Sequence, residues 1–196
     1  NFKTMKKTTY FLSYLLVAAI AVSCKKDKTV TEQPFKALFA DNALSDAALN
    51  DTTTNSSYYE FGFEFTATKD GKITQLGIHN PAAGTVRATL WDLSDTSVIV
   101  QKSIVVEANV PKYEDLASAV IVTAGEKYAI TMESDDWYTK YVSLSDDYTY
   151  PIKKGNINIT RYGFRSVLSG SPAAYPTTFP IDYLAGIADI TFETEE

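Results

Sequence analysis

The chain reads as an all-β protein, an antiparallel β-sandwich of jelly-roll or immunoglobulin-like type with about nine strands. Three observations point there: period-2 alternation in short bursts from Tyr58 onward, turn residues between the bursts, and no helical apolar period linking them. The first burst sets Tyr59, Phe61, Phe63 and Phe65 on one face and Glu60, Gly62 and Glu64 on the other. A helix would scatter those rings around its circumference.

The elements follow in order. Lys69-Asp70-Gly71-Lys72 is a hairpin turn, because Asp-Gly accepts positive φ at little cost, and residues 73–78 form the partner strand. Asn80-Pro81 through Gly84 breaks the chain again. Residues 85–91 then place Val86, Ala88 and Leu90 opposite Thr85, Arg87 and Thr89. Further strands are expected at 98–106, 119–122, 127–132, 137–144, 156–162 and 187–192. Only residues 42–49 have the pattern of a short helical turn.

Several of these strands carry a resemblance. Phe61-Gly62-Phe63-Glu64-Phe65, then Gly71-Lys72-Ile73-Thr74-Gln75-Leu76-Gly77, then Gly84-Thr85-Val86-Arg87-Ala88-Thr89-Leu90-Trp91-Asp92 resemble, in that order, a bacterial extracellular β-sandwich domain of unknown function. That family strings together a G-F-x-F strand, a G-x-I-T strand and an L-W-D strand, often beside immunoglobulin-like or carbohydrate-active modules of cell-surface proteins. Val122-Thr123-Ala124-Gly125-Glu126-Lys127-Tyr128 resembles its V-T-A-G-x-x-Y entry. Phe179, Tyr183 and Ala188-Asp189-Ile190-Thr191-Phe192 resemble its closing aromatic loop and last strand. The similarity covers nearly all of residues 36–194 and implies the sandwich fold, with Trp91 part of a recurring strand. A family without an assigned chemistry hands over no catalytic residue.

The first segment has a different character. Lys3, Lys6 and Lys7 precede an apolar run of 13 residues, 10–22, which ends in small residues. This is the pattern of a secretory signal, and it falls short of the about 20 apolar residues that a membrane span needs. Ala21-Val22-Ser23-Cys24 resembles a lipobox, which implies that Cys24 is lipidated and becomes the first residue of the mature chain. Met5 is the expected initiator, with residues 1–4 upstream of it. The expected organisation is a signal peptide at 1–23, a lipidated cysteine and flexible tether at 24–34, and one sandwich domain at 35–196. Residues 25–33 carry no apolar pattern and reach at most about 30 Å. An Asp after the cysteine would retain such a lipoprotein in the inner membrane of a Gram-negative bacterium. Lys25 stands there instead, and the expected address is the cell envelope at the outer membrane, with the leaflet open.

Charge excludes one class of partner. The chain carries −6, and loss of residues 1–23 leaves 15 basic against 24 acidic residues, a formal −9. Nucleic acid needs clustered Lys and Arg, so it is not an expected partner. With Cys24 committed to lipid, no internal disulfide or cysteine metal site can form.

Catalytic patterns are sparse. His79 is the only histidine, no Gly-x-Ser-x-Gly elbow accompanies it, and its place beside Asn80-Pro81 reads as a turn or surface position. Carboxylates abound, but no pair stands out as a glycosidase acid and base; an enzyme is not expected. No cofactor is expected either, and Asp135-Asp136 with Asp146-Asp147 supply at most hard oxygen donors for a structural calcium. The suggestive stretch is Asp135-Asp136-Trp137-Tyr138-Thr139-Lys140-Tyr141, followed by Tyr148 and Tyr150. Aromatic faces stack on sugar rings while carboxylates accept hydroxyl hydrogen bonds. Asp135, Asp136, Trp137, Tyr138, Tyr141, Tyr148 and Tyr150 are therefore the candidate ligand residues. The competing reading is that these aromatics fill strand positions. The function expected is a non-catalytic, lipid-anchored envelope domain that binds glycan or polysaccharide. The alternative is a structural or interaction module that contacts another envelope protein.

Overall fold

The structure, a computed structural model, describes residues 28–41, 50–52, 57–141 and 147–195, with backbone alone at 50–52. It is an all-β antiparallel sandwich with one short helix among the described residues. The signal at 1–23, Cys24, the helical turn at 42–49 and Asp146 lie outside the described residues.

Two sheets form the layers. The first has four strands, β1 (Thr29–Glu32), β13 (Ile187–Glu195), β4 (Gly71–His79) and β7 (Lys112–Val122), in that spatial order. The second has six, in the order β10 (Ile152–Lys154), β11 (Ile157–Val167), β3 (Tyr58–Ala67), β8 (Lys127–Ser134), β5 (Gly84–Asp92) and β6 (Ser97–Val106). A third, small sheet joins β12 (Tyr183–Ala185), β9 (Trp137–Tyr141) and β2 (Asn50–Thr52). All nine expected strands are present in whole or in part, and the total among the described residues is thirteen. The expected hairpin at Lys69-Asp70-Gly71-Lys72 is a correction: the turn is there, but β4 crosses to the other sheet and pairs with β13 and β7, while β3 pairs with β11 and β8. The additional strands have three or four residues each, too few to show alternation. β7 starts seven residues before its expected start, in a polar stretch that a half-exposed edge strand tolerates.

Alternation does in β3 what the sequence predicts on one side only. Phe61, Phe63 and Phe65 are buried between the sheets, joined by Ile73, Leu76 and Ile78 from β4 and by Ile130 and Met132 from β8. On the opposite face, Glu60 and Gly62 are buried as well, because residues 168–180 fold back over it. Gly62 has no room for a side chain: a Cβ would come within 1.9 Å of the Ile130 carbonyl oxygen.

The N-terminal boundary is a correction. Thr29–Glu32, expected as tether, pairs with β13, Thr29 opposite Glu195 and Glu32 opposite Phe192. Helix α1 (Pro34–Ala40) follows and sends Phe35, Leu38 and Phe39 into the core, with the Phe35 ring stacked 5.1 Å from Phe63. Pro34 opens the helix without wasting a donor. Both helix ends are held by buried charge of the sign the helix dipole favours. At the N-terminus, the Asp189 carboxylate accepts from Phe35 N–H (3.1 Å) and Lys36 N–H (3.0 Å). At the C-terminus, Lys140 Nζ donates to the carbonyls of Phe39 (2.9 Å) and Asp41 (2.7 Å). Burial lowers the Lys140 pKa.

The sandwich has two distinct ends. The β3–β4 and β7–β8 turns, the start of β1 and the end of β13 share one end, since Gly71 pairs with Val122 and Thr29 with Glu195. At the other end lie the starts of β3, β9 and β13 and the close of β11, where Val167 pairs with Tyr58.

Candidate functional site: an aromatic cleft at one end of the sandwich

The seven candidate residues divide. Asp136 is buried, its N–H donating to Ser134 Oγ at 3.1 Å, so its carboxylate presents nothing to a sugar hydroxyl outside. Tyr138 is core: its ring lies 4.8 Å from His79 and its hydroxyl donates to Asn109 Oδ1. Tyr148 is core too, its hydroxyl donating to the Lys140 carbonyl at 3.3 Å and pushed up to about 12 by burial. Tyr150 is half-buried against the core, its hydroxyl also pushed upward by burial. For β9 the physical reason is what packs on one of its faces: Tyr138 meets His79 of β4 and Lys140 reaches the carbonyls at the end of α1, so that face is taken up inside. Asp135 is half-buried, and Tyr141 is 50% exposed with its ring 5.8 Å from Tyr183.

Trp137 belongs to a site. With Tyr59 and Phe61 of β3, Phe164 of β11, and Tyr183 and Ala185 of β12, it lines a cleft of about 230 Å³, with Tyr162 beneath. The rings are tilted into a cup. Trp137 meets Tyr59 edge-on at 5.4 Å and 71°, Tyr59 meets Phe164 at 6.1 Å and 65°, and Phe164 meets Tyr183 at 6.3 Å and 39°. The walls come from two sheets, β3 and β11 of one and β9 and β12 of another, so packing of the sheets against each other assembles the cleft. Among the described residues its lining carries no charged side chain; its polar atoms are phenol hydroxyls, the indole N–H and main chain. Burial, and then the charge of neighbouring Asp182, raises the Tyr183 pKa.

A second cluster, not singled out by sequence, sits on the outer face of the six-stranded sheet. Glu60 and Glu133 stand opposite one another on β3 and β8, with Arg87 of β5 beside Glu133. Arg87 Nη2 lies 2.7 Å from Glu60 and 2.5 Å from Glu133. Thr131 donates to Glu60 at 2.6 Å while accepting from the Trp91 indole at 2.9 Å. Burial raises the Glu60 pKa, opposed by Thr131 and Arg87. The covering segment is docked by the same groups: Arg87 donates to the Ser171 carbonyl and Gly170 N–H to Glu133 at 2.9 Å. Farther along it, the Tyr175 hydroxyl donates to Glu64, and the Arg161 guanidinium lies 3.6 Å over the Phe179 ring. Two carboxylates clamping one guanidinium under a roof fasten that roof; they offer a substrate no entry. Trp91 is accordingly a framework residue.

No protein-family model matches the chain, and no curated protein matches it.

His79, expected at a turn or surface, is half-buried at the end of β4, and burial lowers its pKa. Among the described residues no three His, Cys, Asp or Glu side chains gather as a metal site, and no helix is long and apolar enough to cross a membrane. Sequence reasoning missed Tyr59, Phe164 and Tyr183 as cleft-lining residues. They lie far apart along the chain: the β3–β11 pairing brings Tyr59 to Phe164, the β9–β12 pairing brings Tyr183 to the strand of Trp137, and packing of the two sheets unites the pairs.

Proposed function

We propose that this chain is a lipid-anchored cell-envelope domain, without catalytic role, that binds glycan or polysaccharide through the aromatic cleft. The observation that carries this reading is the cup of Tyr59, Trp137, Phe164 and Tyr183, open at one end of the sandwich. Aromatic faces in such a cup cover the C–H faces of a sugar ring, and phenol hydroxyls at their edges exchange hydrogen bonds with sugar hydroxyls. The envelope address rests on the basic, apolar and Cys24 pattern of the first 24 residues, with Lys25 favouring the outer membrane.

A glycan array with purified protein tests the reading. Binding to carbohydrate is expected, and Trp137→Ala is expected to weaken it at least tenfold. A blank array, with no free sugar shifting the Trp137 indole signal, overturns it.

One feature favours the alternative, a module that contacts another envelope protein. β7 is an edge of its sheet and leaves Ile121 72% exposed, which suits addition of a partner's strand. Recovery of a protein from envelope extract that a charged Ile121→Lys variant no longer captures, with the array blank, favours that alternative.

A further inference from the structure

The shape and chemistry of the cleft bear on which sugar it takes, an inference that rests on the glycan reading above. At about 230 Å³ the cleft is smaller than the about 300–1,000 Å³ of pockets that enclose a drug-sized ligand. It has room for one ring. A chain lying across a flat row of aromatics would need exposed, coplanar rings: Tyr59 and Phe61 are near parallel at 15°, but Phe61 is buried at the floor, while Trp137 is turned 71° from Tyr59 and Phe164 39° from Tyr183. The occupant enters end-on.

Charge narrows it further. An anionic group needs a cation or several N–H donors when it leaves water, and the described lining supplies no Lys, Arg or His. Asp182, exposed next to Tyr183, adds a negative charge at the rim, and the whole chain carries −6. That field repels polyanions. We infer that the cleft binds a single neutral sugar ring, the terminal unit or a one-unit branch of a glycan, and rejects uronic, sialic and phosphorylated units.

The test uses wild-type protein with ¹⁵N-labelled tryptophan. The two indoles serve as probe and control: Trp137 lines the cleft, whereas Trp91 is buried and donates to Thr131. Titration with free glucose, galactose, mannose and N-acetylglucosamine is expected to shift the Trp137 indole signal for at least one of them and leave Trp91 in place. Glucuronic, galacturonic and sialic acids are expected to shift neither. On the array, hits are expected to end in a neutral unit at the non-reducing terminus or at a branch, and the responding monosaccharide is expected to compete them off.

Hits confined to acidic glycans, or to internal stretches of chains with blocked ends, while Trp137 still shifts with those glycans, would overturn this inference and leave glycan binding standing. A blank array with Trp137 silent to every sugar overturns both. Because the titration needs no variant, a Trp137→Ala chain that fails to fold does not spoil it.

Discussion

Asp189 accepts four hydrogen bonds, from Phe35 and Lys36 N–H at the head of α1, from its own neighbour Ile190 N–H at 2.8 Å, and from the Tyr113 hydroxyl at 2.8 Å. Burial nevertheless outweighs these donors and pushes its carboxyl up to about 6, from an ordinary 3.8. The sign of the pH dependence follows. The folded protein holds this proton up to about pH 6, while the unfolded chain releases it near 3.8, so in that window the folded state binds more protons. The group's contribution is complete below about pH 4 and is lost as pH rises through 6, an effect of roughly 3 kcal/mol for about two pKa units. Urea unfolding of wild type and Asp189→Asn at pH 4, 5, 6 and 7 checks it. Wild-type stability is expected to fall relative to the variant across that range, and parallel profiles would count against it. Nothing in the local sequence announces Asp189 as a helix cap, because the amides it holds lie about 150 residues away.

At the scale of elements, α1 is a seven-residue helix too short to persist by itself. It exists because Phe35, Leu38 and Phe39 complete the core beside Phe63 and Phe65 and because charge holds both ends. Phe63→Ala and Phe35→Ala are each expected to cost about 3–5 kcal/mol. Their double-mutant cycle is expected to show a coupling of about 0.5–1.5 kcal/mol for the stacked pair. Chemical denaturation of the four proteins measures both, and a coupling of zero would mean that the helix does not seat its ring on β3. The β3 strand itself was legible, because four aromatics at a period of two admit one reading. Its acidic face was not. Alternation places Glu60 outside the core but cannot say that residues 168–180, which carry no regular period, return to roof it. In the same way the alternation of β9 separates Trp137 from Tyr138, yet only the packing of β4 and α1 on one face says which of the two lies inside.

For the molecule as a whole, sequence legibility follows contact range. Turns and alternation are local and were readable, whereas strand partners were not: the turn at residues 68–70 carries the chain from one sheet to the other instead of closing a hairpin. The cleft, the roof and the docking of α1 likewise depend on pairs distant along the chain. Thr29–Glu32 shows the limit well, since a polar four-residue stretch looks like tether until β13 is beside it. Cys24→Ser is expected to abolish incorporation of a fatty-acid analogue, because the chain has no other thiol to accept lipid; equal labelling of wild type and variant would sink the lipoprotein reading. On a Cys24 anchor, the pairing of β1 sets the posture of the domain. Only residues 25–28 then separate the lipid from the first strand, about 13 Å of chain at most. The strand enters at the turn end, and the ten residues of β3 run from there to the cleft, a stiff post of roughly 30 Å. With that anchor the mouth of the cleft would look away from the bilayer, and on the proposed glycan reading its ligands would be sugars arriving from across the gap, on a facing wall, a neighbouring cell or a passing polymer, rather than the headgroups underfoot.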